Sequence, residues 1–183
     1  KGTLGPRTRY LNSDYDYAIH DPINGSEGNQ LVTLSQLGFL NENITDNDTQ
    51  NYLTHISIND PNGSIEDKAR SYLDNNCAYC HQPGAGGRAD FDLRLENSLI
   101  ETNLLQAAIN EPVAVMDSDQ KILYPGDAAK SHIYHRANTL VPGIMMPRIA
   151  KGQIDEAGVA LLEQWINELN PPPIPVATSD LDF

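Results

Sequence analysis

The sequence predicts a mainly α-helical fold with a loop-rich N-terminal extension, and three observations carry that expectation. Two stretches, residues 65–76 and 155–169, hold apolar residues at helical spacing between start and stop signals. Residues 1–63 are rich in Asn, Asp, Gly, Ser and Tyr, with only short apolar runs such as Leu31-Val32-Thr33-Leu34 and Leu37-Gly38-Phe39-Leu40. Gly and Pro clusters divide the remainder into short segments. A chain of 183 residues suits one domain, or a core domain with an ordered extension, rather than two full domains. The expected boundaries are an extension over residues 1–63, a helical domain over 64–170, and a Pro-rich linker or tail over 171–183.

The extension reads as loops with at most one short helix. Its alternating Asn12, Asp14 and Asp16 resemble calcium ligands, but the glycine and distal glutamate of an EF-hand are missing, so the run reads as a solvated turn. Ser64 followed by Asp67 resembles a capping box, and Ile65, Ala69, Tyr72, Leu73 and Asn76 then recur at helical steps, predicting a first helix over 65–76. After Gly84-Ala85-Gly86-Gly87, the residues Ile100, Leu104, Leu105, Ala108 and Ile109 predict a second helix that ends before Pro112. Asp127 caps a predicted third helix with Ala129, Ile133 and Ala137 on one face. Two prolines within Val141-Pro142-Gly143-Ile144-Met145-Met146-Pro147 exclude helix and predict an extended loop. The last helix is capped by Asp155, carries Val159, Leu162, Trp165, Ile166 and Leu169 as its stripe, and stops at Asn170-Pro171-Pro172-Pro173.

Charge removes some function classes. With 12 Lys and Arg against 25 Asp and Glu, the formal charge is −13, which repels nucleic-acid backbones and anionic membranes. No apolar run is long enough to span a bilayer, and the opening residues lack a signal-peptide pattern, so the chain reads as a mature or excised piece.

The chemistry lies in Cys77-Ala78-Tyr79-Cys80-His81, which has the spacing for covalent haem attachment: each thiol adds to one vinyl group and the adjacent imidazole ligates iron. Two cysteines and five histidines would fall into this arrangement by chance roughly once in 3,000 chains of this length. Structural zinc would need further close ligands, yet the next histidine is His132. A thioredoxin-like dithiol would open a helix in a βαβ unit, whereas these cysteines follow one.

Helix, CxxCH, Gly-rich loop, Met-Pro loop and terminal helix together resemble a class I c-type cytochrome over about residues 64–170. The resemblance implies a cytochrome c-like helical fold around one covalent haem c. Upstream, Arg9-Tyr10-Leu11-Asn12-Ser13-Asp14-Tyr15-Asp16-Tyr17 followed by Asn29-Gln30-Leu31 is similar to a segment that precedes the haem domain in bacterial multidomain cytochromes, some with carbohydrate-binding or sugar-oxidising modules. The long acidic front segment and the single CxxCH depart from that pattern and argue against a dihaem role.

For the second iron ligand Met146 is best placed, because Pro147 biases it toward an extended conformation on a loop. The resembling family also places its methionine just before a proline, about 65 residues beyond the motif, as 146 − 81 = 65 here. Met145, His20, His55, His132 and His135 are the alternatives, and Met116 reads as core filler. Arg94, Arg136 and Arg148 are candidates to pair with haem propionates, Arg136 foremost because its helix leads into the Met loop. A carbonyl of residues 82–87 could accept the proton on the far nitrogen of His81. Trp165 reads as packing between the first and last helices, and Tyr10, Tyr15, Tyr17 and Tyr52 as packing over the haem core before stacking on sugars.

The functional expectation is an exported, periplasmic or extracellular electron-transfer module that is not itself an enzyme. It would dock transiently with redox proteins through an apolar rim of Val141, Pro142, Ile144 and Pro147. The resemblance suggests a sugar dehydrogenase as donor and a copper polysaccharide monooxygenase or terminal oxidase as acceptor, with polysaccharide reached through a parent protein. The competing class is a haem peroxidase or gas sensor, which needs an open iron position.

Overall fold

The computed structural model describes residues 6–21, 23, 25–87, 90–105, 107–110 and 119–170. The tail over 171–183, Met116 and the predicted helix stop at Pro112 lie outside the described residues. The chain divides into two compact units, Lys1–Asn103 and Leu104–Phe183. The division falls inside the span read from sequence as one domain.

In the first unit, α1 (Thr8–Leu11) leads into a two-stranded antiparallel ribbon of β1 (Asp14–Asp16) and β2 (Glu27–Asn29), with Asp14 opposite Asn29. The ribbon was not legible in the sequence because each strand is three residues long, too short for the Asp14-Tyr15-Asp16 alternation to count as a pattern. Backbone pairing and Asn12 hold it instead. Asn12 is buried, and its Nδ2 donates to the Thr49 carbonyl at 3.0 Å and the Thr54 hydroxyl at 2.7 Å, while its Oδ1 accepts from Asn29 Nδ2 at 3.0 Å. Asn12 is therefore an internal tie, and Asp16 caps the 3-10 turn Tyr17–Ile19 by accepting from the Ala18 N–H.

Asn29 caps α2 (Gln30–Gln36) by accepting from the Leu31 N–H. Leu31 and Val32 then pack with Ile44, Leu11, Leu40 and Tyr52 in a small core, beside α3 (Asp46–Thr49). The other front tyrosines pack locally: Tyr10 against the His55 ring, and Tyr15 against Tyr17 and His20.

α4 (Ile65–Asn76) occupies the predicted span, with Ser64 accepting from the Asp67 N–H and the Asp67 carboxylate accepting from the Ser64 hydroxyl. Its buried face is wider than the apolar stripe, because Arg70, Ser71 and Asp74 are buried beside Ala69 and Leu73. Each of these side chains makes a hydrogen bond, Arg70 Nη2 donating to the Asn97 carbonyl at 2.6 Å and Ser71 accepting from the Ile56 N–H at 2.9 Å, while Arg70 Nε is buried without a partner among the described residues.

No second helix forms over residues 100–105, where the chain makes turns. Ser98 and Glu101 start one correctly, with the Glu101 carboxylate accepting from the Ser98 N–H at 2.7 Å. The Thr102 hydroxyl then bonds the Leu99 carbonyl, and Asn103 takes a left-handed conformation (φ 60°), so the turn ends after one cycle.

In the second unit the predicted third helix is broken in two. Asp127 caps a 3-10 turn, Ala128–Lys130, and α5 (His132–Ala137) follows. Between them Ser131 is extended, donating to the Asp127 carbonyl and bridging to Lys121, and this interrupts the register that Ala129, Ile133 and Ala137 suggested. α6 (Glu156–Glu168) starts at the Asp155 cap and packs on α5 and the 3-10 turn, with Val159, Leu161, Leu162, Trp165 and Ile166 buried. No helix among the described residues is long and apolar enough to cross a membrane.

Candidate haem site

Cys77 closes α4, donating its N–H to the Leu73 carbonyl at 2.9 Å. The Cys80 and His81 N–H groups then both donate to the Cys77 carbonyl, at 3.1 and 2.9 Å, so one tight turn carries both thiols and the imidazole. Ala78 faces the interior, whereas Cys77 and His81 are half-buried and Cys80 is exposed. No disulfide joins the two cysteines.

Two neighbours orient the imidazole. Phe91 stacks on its face, with centroids 4.4 Å apart and planes within 13°. The Nδ1 edge is buried where the 82–87 loop folds back, the Gly87 N–H donating to the Cys80 carbonyl at 2.9 Å. A Cβ at position 87 would stand 2.6 Å from that carbonyl oxygen and 2.9 Å from Nδ1, so only glycine fits. Gly87→Ala is expected to cost about 1–3 kcal/mol by overpacking, measured as a lower denaturant midpoint at unchanged slope. Neither Phe91 nor the requirement at Gly87 was found from sequence, since a stacked neighbour ten residues on leaves no local pattern.

A nearby cleft of about 470 Å³ is lined by Phe91 together with Asp90, Asp92 and Glu101. Three carboxylates are a poor setting for a macrocycle that carries two of its own.

Asp74, one turn before the motif, is the strongest polar centre of this unit. Its side chain is fully buried; Arg9 donates to both oxygens at 2.7 and 2.9 Å, His55 lies at 2.7 Å, and the Leu95 N–H donates at 3.1 Å. Burial pushes this carboxyl up, but the His55 hydrogen bond, the Arg9 charge and the Leu95 N–H outweigh it and hold the group below its ordinary range. Sequence reading missed this cluster because its members are scattered from Arg9 to Leu95.

In the second unit, Met145 and Met146 are both half-buried on a loop that turns rather than extends, with the Met145 N–H donating to the Val141 carbonyl at 3.0 Å. Met146 donates its N–H to the Arg136 carbonyl at 2.8 Å, and the peptide to Pro147 is cis. Arg136 donates to the Ile144 carbonyl at 3.1 Å, so the structure brings Arg136 and Met146 together. Arg94 is paired with Asp92 at 2.6 Å, and Arg148 is exposed.

The four other histidines share one feature: each engages Nε2. His20 bonds the Tyr15 hydroxyl, His55 the Asp74 carboxylate, His132 the Gln120 side chain and His135 the Ala129 carbonyl. Burial, with the Arg136 and His135 charges, pushes His132 down to about 4, so it is neutral at pH 7.

The donor set fits a haem. Two reduced thiols and an oriented imidazole share one turn, and a porphyrin that brings four nitrogen ligands of its own needs only axial donors from the protein. No group of three or more His, Cys, Asp or Glu side chains is assembled as a metal site among the described residues. Compared with protein-family models, curated proteins and solved structures, the chain matches none of them.

Proposed function

We propose that this chain carries single electrons on one haem c, which Cys77 and Cys80 would hold covalently and His81 and Met146 would ligate. The observation that carries the reading is the 77–81 turn, with its imidazole held between the Phe91 ring and the Gly87 backbone. Cys77 and Cys80 are the residues that would hold the haem covalently, each through a thioether to one vinyl group. His81 is directed by its buried Nδ1 edge to offer Nε2. When bound, the haem supplies a one-electron Fe(III)/Fe(II) couple.

The engaged Nε2 atoms of His20, His55, His132 and His135 favour a thioether as the second ligand. Met146 as that ligand would close the iron to small molecules and raise the potential, chemistry that would suit electron transfer rather than a peroxidase or gas sensor. Arg136, beside the Met loop, is the residue we assign to a propionate. Of the expected apolar rim, Val141, exposed at 52%, Pro142 and Pro147 are exposed and Ile144 is half-buried, a surface suited to weak, transient docking with redox proteins outside the bacterial cytoplasm. The test is acid-acetone extraction of the protein expressed with a haem-attachment system. The expected result is haem retained by the denatured chain, and lost to the solvent in Cys77→Ser/Cys80→Ser. Free extraction from the unaltered chain would overturn covalent attachment.

A further inference from the structure

The Met146 loop is secured by a group that the ligand assignment does not use. The Lys151 ammonium donates to the Met146 carbonyl at 3.0 Å and to the Arg136 carbonyl at 3.5 Å, and it also bonds the Ala137 carbonyl. Arg136 and Ala137 are the last two residues of α5, where carbonyls lack helical partners and a lysine is a suitable donor. The Arg136 carbonyl accepts from the Met146 N–H as well. Both peptide groups flanking the Met146 side chain are therefore tied to one helix end, the N–H directly and the carbonyl through Lys151.

We propose that Lys151 is a positioning residue for the Met146 thioether, an inference that rests on Met146 being the axial ligand. With its backbone fixed on both sides, the methionine has little freedom besides its own side-chain rotamers, and so the sulfur is presented rather than recruited. Loss of the ammonium releases the carbonyl side of Met146 and the end of α5 together. Hydrogen bonds to a charged group span about tenfold to a hundredfold in an equilibrium constant, and loop opening should change by that factor.

The probe is imidazole, which binds ferric haem only where the methionine has left. In the haem-loaded protein, Lys151→Met, which keeps the length of the side chain and removes its donors, should raise imidazole affinity about tenfold to a hundredfold. It should also weaken the sulfur-to-iron band. Lys151→Gln, which retains two N–H donors, should fall between and serves if Lys151→Met does not accumulate. A merely structural lysine would lower the unfolding midpoint without moving imidazole affinity, and that result overturns the proposal. If Met146→Ala keeps the sulfur-to-iron band, the ligand assignment itself has failed. If Met146→Ala loses the band while both Lys151 variants bind imidazole as the unaltered protein does, only the positioning role has failed.

Discussion

Met146→Ala should abolish the sulfur-to-iron absorption band and lower the midpoint potential by more than about 60 mV, one decade in a one-electron equilibrium. A thioether stabilises Fe(II) over Fe(III), and its replacement by water or an added base removes that preference. Met145→Ala, one residue away on the same turn, should leave both readouts near their original values. The pair decides between neighbours that sequence alone leaves one register apart. A band that survives Met146→Ala and disappears with Met145→Ala would move the ligand by one residue.

Asp74→Ala should destabilise the first unit by about 3 kcal/mol or more, because it removes the buried carboxylate that Arg9 and His55 share and leaves the Arg9 guanidinium with the partly exposed Glu96 carboxylate as its counter-charge. In thermal unfolding this is a fall on the order of 10 °C. The pH dependence follows from the sign of the shift. Asp74 is held below its ordinary range when folded, so its contribution is complete above the unfolded value near about 4 and is lost as pH falls through the lower folded value. Asp74→Asn should therefore flatten the acid limb below about pH 4. His132 acts in a separate window: its folded value of about 4 lies below the unfolded 6.5, so stability declines as pH falls between them. An acid limb unchanged in Asp74→Asn would remove Asp74 as its cause.

The two sites carry different consequences for function. Asp74 joins the front segment, through Arg9 and His55, to the helix that ends at Cys77. A front segment tied so closely to the attachment turn is part of the unit that would hold the haem, and truncating it would remove the counter-charges of a buried carboxylate.

The sequence by itself determined whatever depends on near neighbours. Cys77, Cys80 and His81 form a single turn because their spacing allows little else after a helix, and α4 and α6 start at Ser64 and Asp155 because those side chains cap the next N–H groups. The Met loop was legible as non-helical from its prolines. Tertiary structure decided the rest. Whether Ser98–Glu101 would propagate a helix depended on Asn103, whose side chain reaches back to the Asp90 carbonyl at 2.7 Å. Whether α5 would continue the 3-10 turn depended on Ser131 pairing with Lys121. The stack of Phe91 on His81, the cluster at Asp74 and the Lys151 clamp join groups distant in the chain, and polar residues carry no periodicity that announces such partners. Their placement follows from the requirement that a buried charge or carbonyl find a donor, and only the folded chain determines which donor is within reach.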